Sequence, residues 1–352
     1  MGYSAIMKYA YPSTRVKAME AKLLSSSAMK SIATAKDVGS IMSVLIQTDY
    51  NKALSEFGGI AIKHSLIDFA LSKNMAERLG KLIGVTPKQN RSVLRNVTGK
   101  LELNNVKLAI EAKDRNLGYD AISSYIIDYG IYNQSAVKEA MREPSIEDML
   151  SRFMKNSPYA DIIKDAIDVY KSSKDAIETV SAIDVRYYKL LGTSINKLLQ
   201  TSDRSSAILR MDIDMRNLLI LIRAKKRKIA FSEVSKNLIS NGNVNENALA
   251  GMYNGSEDVS TFAGSIKSFD LKEAIEQYKK NGQLIAFEIG MRNSLFAKSL
   301  SVLRCSTLSF ASLLAYVYLK ETEVFALRIL IKSKMYGLSE EEISRLITWK
   351  IA

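Results

Sequence analysis

Three carboxylates, one histidine, one cysteine and one run of cations are the side chains whose types and spacing could do chemistry. Glu102, Asp214 and Glu323 each stand eleven residues before a lysine, Lys113, Lys225 and Lys334. Paired carboxylates could divide general acid and base work between them. Their recurrence in one column points instead to a structural duty at a helix start, where negative charge complements the aligned peptide dipoles, with the lysine near the opposite pole. His64 is the single histidine and Cys305 the single cysteine. Neither has the partners that a zinc site needs, and no nucleophile elbow accompanies His64, which reads as a surface or satisfied core residue. Cys305 lies in an apolar helical stretch and reads as a buried, inert thiol. Gly99-Lys100 and Gly80-Lys81 lack the upstream glycine and following hydroxyl of a phosphate-binding loop. The expectation is no catalytic residue, no cofactor and no metal.

Arg223, Lys225, Lys226, Arg227 and Lys228 make the densest cationic cluster in the chain. A solvated helix face is the plain explanation. The sharper one is contact with a partner, through an acidic protein surface or lipid phosphates. Nucleic acid is less well supported, since no aromatic interleaving or binding motif accompanies the charge.

The elements that must position these groups form one phrase written three times, from Leu101 to Ile122, Ile213 to Val234 and Thr322 to Ile343. The lysines fall 112 and then 109 residues apart. Val106, Ala109 and Ile110 recur as Leu218, Leu221 and Ile222, and again as Leu327, Leu330 and Ile331. That spacing is the stripe of an amphipathic helix. Beyond each lysine, Leu117, Ile229 and Leu338 share a column, as do Ile122, Val234 and Ile343. Gly118 and Gly337 mark a bend, and Asp120, Ser232 or Ser339 sits close to a second helix start. The phrase predicts a helix, a tight turn and another helix, in modules arranged about an approximate threefold axis or in an open row.

The 352 residues, 47% of them hydrophobic and 25% charged, are enough for two or three folded domains. Four prolines, the last at Pro158, leave the C-terminal half free of them, so the predicted class is all-α. The net charge of +13 implies an acidic partner, a headgroup surface or a basic cytoplasmic surface. The charge-free run between Arg304 and Lys320 is too short to span a bilayer, and the start has no secretory apolar region. A soluble cytoplasmic protein that can sit on something membrane-bound is expected.

Along the chain, Pro12 predicts an extended lead-in, with Ser13 or Thr14 capping a helix outside the repeat whose stripe is Val16, Met19 and Leu23. Another helix lies around Leu66, Phe69 and Ala70, and Thr86-Pro87 turns the chain. Thr48-Asp49-Tyr50 resembles Ser157-Pro158-Tyr159, each a turn leading into a helix, and Ser65 to Asp68 resembles Ser181 to Asp184. The Asn- and Gly-rich stretch from Asn241 to Asp258 separates the second and third modules. The modules are placed at 1–134, 135–244 and 245–352.

Tyr9-x-Tyr11, Arg15-Val16-x-Ala18-Met19 and Leu23-Leu24 resemble the opening signature of the C subunit of the A/V-type ATP synthases, a family related to the d subunit of eukaryotic vacuolar ATPases. Leu308-Ser309, Leu314-Ala315-Tyr316-Val317, Lys320-Glu321, Glu323 and Leu327-Arg328-x-Leu330-Ile331-x-x-Lys334-x-x-Gly337-Leu338 resemble its closing pattern. Asn217-Leu218 and Arg223-Ala224-Lys225 extend the similarity through the middle. Ala326 stands where the other copies carry Asn105 and Asn217, and Ser333 replaces Ala112 and Ala224. The resemblance implies three similar helical domains with pseudo-threefold symmetry forming a funnel. It also implies a non-catalytic socket between the central-stalk subunits D and F and the membrane rotor ring of proteolipid subunits. There would be one copy per complex, peripheral at the cytoplasmic face of the cell membrane. A basic helical-repeat protein that binds nucleic acid is the alternative, and an enzyme with an unannounced pocket a second one.

Overall fold

The computed structural model describes residues 3–56, 64–199 and 203–337. Their regular structure is helical throughout. In order come α1 (Tyr3–Glu20), α2 (Ser26–Ala33), α3 (Val38–Leu45), α4 (Asn51–Ser55), α5 (His64–Val85), α6 (Lys88–Asp114), α7 (Tyr119–Ile122), α8 (Gln134–Ala140) and α9 (Ile146–Met154). Then follow α10 (Ala160–Ser173), α11 (Ala176–Leu199), α12 (Asp203–Lys226), α13 (Phe231–Val234), α14 (Glu246–Asn254), α15 (Val259–Ser265), α16 (Lys272–Asn281), α17 (Ile285–Cys305) and α18 (Phe310–Met335). Short 3-10 turns at Ser123–Tyr125 and Ser235–Asn237 follow α7 and α13. The all-α class is as expected from the scarcity of proline and the helical spacing of apolar residues.

The chain divides into two compact units, Val38–Leu191, and Met1–Asp37 with Gly192–Ala352. In the first, α6 is the axis. Its 27 residues bury Val93, Leu94, Val97, Leu103, Val106, Ala109 and Ile110 and pack on α5, α7, α8 and α9. Gly99 is required there, since a Cβ would lie 2.5 Å from the Tyr159 hydroxyl. The two similar turns use the same bond. The Tyr50 amide donates to Thr48 Oγ1 at 3.3 Å and the Tyr159 amide to Ser157 Oγ at 2.9 Å, each burying its tyrosine at a helix start.

In the second unit, α18 packs on α1, α12 and α17. Every residue from Phe310 to Lys320 is buried. From Phe310 on, the charge-free run is therefore a core helix, apolar on all sides because protein covers all sides. No helix among the described residues is long and apolar enough to cross a membrane.

Three local expectations need correction. Pro12 does not delay the first helix but lies inside α1. The helix forgoes the bond a proline nitrogen cannot donate, and burial of Tyr9, Val16 and Met19 carries it through. Ser13 is accordingly buried within the helix, and Thr14 Oγ1 donates back to the Ala10 carbonyl at 3.0 Å instead of capping. Cys305 is exposed, as the last residue of α17, where the apolar packing of the helix ends. Finally, the bend after α6 is made by Asn116, not Gly118. Asn116 (φ 56°), Lys228 (φ 56°) and Gly337 (φ 69°) hold the left-handed position in their copies, while Gly118 has φ −79°. The Leu117 amide donates to the Ala112 carbonyl at 2.8 Å and the Ile229 amide to the Ala224 carbonyl at 3.0 Å, so both turns close in the same way. Leu338, Ser339 and Ile343 lie outside the described residues, as does the side chain of His64.

Candidate functional site

The repeated acids do not stand at helix starts. Glu102, Asp214 and Glu323 lie in the middle of helices of 27, 24 and 26 residues, because each helix begins well before the repeated phrase does. They are buried, and a mid-helix carboxylate gains nothing from the end dipole. It serves instead as an acceptor for backbone amides that would otherwise be buried without partners.

On α6, Glu102 accepts from the Ile131 amide at 2.6 Å and from the Tyr159 hydroxyl at 3.1 Å. One turn on, Asn105 binds both backbone groups of Ile127, donating to its carbonyl at 2.7 Å and accepting from its amide at 3.0 Å, and donates to the Tyr132 carbonyl at 2.8 Å. Lys113 reaches the Met141 carbonyl at 3.2 Å and the Glu143 carbonyl. Gly130, with φ 70°, allows the loop to lie on Glu102, where any Cβ would collide with the carboxylate. Desolvation raises the Glu102 carboxyl above its ordinary range, and the Ile131 and Tyr159 bonds offset part of that. Burial likewise pushes Tyr129 and Tyr132 up to about 12.

On α12, Asp214 accepts from the amides of Asn243 and Val244, both at 3.1 Å, and from Asn243 Nδ2 at 2.9 Å. Asn217 again holds an isoleucine by both backbone groups, Ile239, with bonds of 2.8 Å. Lys225 donates to the Tyr253 carbonyl at 2.6 Å and lies 4.3 Å from the centre of its ring. Gly242 again leaves room where a Cβ would strike the carboxylate. Burial raises Asp214 as it does Glu102.

Glu323 on α18 is closed differently. It accepts from Lys320 Nζ at 2.7 Å, a buried ion pair, and from the Leu24 amide at 2.5 Å. Leu24 follows α1, so the opening and closing segments that carried the family resemblance meet at this carboxylate. Ala326 takes the asparagine's place and has no such bonds to make. Lys334 lies in the last turn of α18, half-buried, with no side-chain partner among the described residues. Sequence reasoning missed Leu24 and Lys320 as partners of Glu323, since nothing local to either residue signals the other.

The cationic cluster ends α12. Arg223 lies 3.9 Å from Glu288, which also pairs with Arg292 at 2.9 Å. Burial works against the Glu288 charge, yet Arg292, Arg216 and Arg223 together hold its carboxyl below the ordinary range. Lys226 donates to the Tyr278 hydroxyl at 3.1 Å. Arg227 and Lys228 are exposed. Among the described residues no group of three or more His, Cys, Asp or Glu side chains could hold a metal ion.

Buried acceptors clasping distant backbone to long central helices define an all-helical protein whose polar core residues hold the fold together. The chain belongs to the ATP synthase (C/AC39) subunit family, whose model matches residues 12–346. It is similar to the A-type ATP synthase C subunit of Thermococcus kodakarensis, with 26% identity covering 96% of this chain and 90% of that one. It is also similar to the subunits of the same name from Thermoplasma volcanium (23% identity, 94% and 95% covered) and Methanocaldococcus jannaschii (24%, 96% and 86%).

Proposed function

We propose that this chain is the C subunit of a rotary A/V-type ATP synthase or ATPase. It serves as a non-catalytic socket coupling the central-stalk subunits D and F to the membrane rotor ring of proteolipid subunits, so that rotation accompanies proton or sodium translocation. One copy sits in each complex, peripheral at the cytoplasmic face of the cell membrane. The family match across residues 12–346 carries this reading. The three modules, 1–134, 135–244 and 245–352, set about a pseudo-threefold axis as a funnel, belong to the same proposal. The recurrence of the Asp/Glu, Asn and Lys bonds at equal offsets on α6 and α12 supports it. Torque transfer needs a body that does not open locally, and buried clasps between helix and loop answer that need. Of the cluster Arg223, Lys225, Lys226, Arg227 and Lys228, the exposed Lys226, Arg227 and Lys228 are the partner-facing residues in this reading, while Arg223 and Lys225 are engaged by Glu288 and Tyr253.

The test is affinity capture of the tagged chain from membranes of its own cells. Recovery of the stalk and ring subunits, with no nucleotide turnover by the isolated chain, is the expected result. Recovery of neither, together with steeply salt-dependent binding to generic duplex, would replace it with the nucleic-acid alternative.

A further inference from the structure

The five cations at the end of α12 do not face outward as one set. Arg223 is turned to Glu288 and Lys225 to Tyr253, while Arg227 and Lys228 have no side-chain partner among the described residues. Lys226 joins this helix end to another. Its Nζ bonds the Tyr278 hydroxyl and lies 3.5 Å from the carbonyl of Gly282, the residue that caps α16. The last turn of α16 carries Lys279 and Lys280, both exposed. Lys228 and Gly282 are both left-handed, so each chain turns sharply away just past its helix. Two helix C-termini, about fifty residues apart in the sequence, are thus joined through Lys226, and Arg227, Lys228, Lys279 and Lys280, all exposed, flank that junction in sequence. Asp258 faces Lys279, and Glu276 stands one turn back on α16. Ile285, 39% exposed, opens α17 just beyond Gly282.

We propose that this surface binds anionic phospholipid headgroups, an inference that rests on the peripheral-membrane part of the proposed function. Three of its four outward cations are lysines. Lysine offers a compact charge on a flexible stem, suited to a diffuse sheet of phosphates, whereas pairing with fixed protein carboxylates favours the arginine fork. Four is within the number of cations that holds a soluble surface on an acidic leaflet. The exposed Ile285 beside the cations can settle at the headgroup boundary.

The experiment is co-sedimentation of the full chain with vesicles of phosphatidylglycerol and phosphatidylcholine, against vesicles of phosphatidylcholine alone. The wild-type chain is expected to sediment with the first only, and less so as salt rises. The quadruple variant R227Q/K228Q/K279Q/K280Q is expected to lose on the order of several hundredfold in affinity, at roughly fivefold for each of four charges near the surface. Its melting temperature should match wild type, since all four side chains are exposed. A control carrying K30Q, K36Q, K88Q and K155Q should still bind. Absence of binding to anionic vesicles, equal binding to both vesicle types, or equal loss in the control overturns the inference. Capture of stalk and ring by a chain that ignores lipid would do so while leaving the socket intact. A quadruple variant that binds vesicles normally but loses the ring would assign this surface to protein instead, and equally overturn it.

Discussion

Asp214 and Glu323 occupy one column of the repeat and are both buried, yet they are satisfied in different ways. Asp214 has three N–H donors, all from Asn243 and Val244 in the loop beyond α13, and no ion pair among the described residues. Glu323 accepts from the Leu24 amide, 299 residues away, and from a buried lysine one turn behind it. Beside them, Asn217 grips Ile239, whereas Ala326 grips nothing and lines a small groove with Ile289, Thr322, Phe325 and Ile329. A buried carboxylate requires donors, but it is indifferent to their source. The second copy is tied by its own sequence, and the third by the chain's opening segment and a charge.

The comparison breaks most severely if the apolar stripes it depends on are not buried. Leu221→Asp in the second copy and Ile331→Asp in the third each place an unpaired charge where exposure is 0% and 2%. Each is expected to cost more than about 4 kcal/mol and to abolish cooperative melting. An unchanged melting curve for either would refute its placement.

Lys320→Met tests the charge that only the third copy uses. With Glu323 left buried without the lysine charge, a loss of about 3–5 kcal/mol is expected in urea unfolding. The double variant K320M/E323L should recover much of that loss. If K320M alone were neutral, the ion pair would not be what satisfies the third carboxylate.

Exchanging the neighbouring column separates the copies more finely. Asn217→Ala leaves both backbone groups of Ile239 without partners and is expected to cost about 2–3 kcal/mol, with faster hydrogen exchange at that amide. Ala326→Asn, which restores the repeat's letter without its loop, should be destabilising by about 1–2 kcal/mol. A stabilising Ala326→Asn would mean that a partner for the amide is already in place.

The smallest effect concerns protons. Because burial raises the Glu102 carboxyl, the folded chain holds that proton more tightly than the unfolded chain does. The stability this adds is fully present below 4.5, the ordinary glutamate value, and is lost as pH rises through the raised one. Glu102→Gln removes the titration. The wild-type stability minus that of the variant, from urea midpoints, is therefore expected to fall as pH climbs from about 4 toward neutrality. A difference that grows with pH would show that hydrogen bonds to the charged form outweigh its desolvation.

How much of this was legible depended on distance along the chain. The stripe Leu218, Leu221, Ile222 was readable because helix neighbours lie three and four residues apart. The turn was readable as a turn, though its left-handed residue was misassigned, since Gly118 is the commoner choice and Asn116 or Lys228 can take the same torsions at a cost. The acids were readable as a structural column, but not as buried acceptors. A helix boundary is a weak signal, and placing the start at Leu101 instead of Lys88 moved Glu102 from the middle of the helix to its end.

Composition and periodicity alone determined that the chain is helical, that one phrase recurs, and that its carboxylate and lysine columns carry structural work. Only the tertiary structure decided what each column touches, which cations remain outward, and that Leu24 closes the third carboxylate. The physical reason is that helix formation is governed by neighbours within a turn or so. A buried polar group, by contrast, takes whatever donor the packed chain brings within about 3 Å, from any position in the sequence.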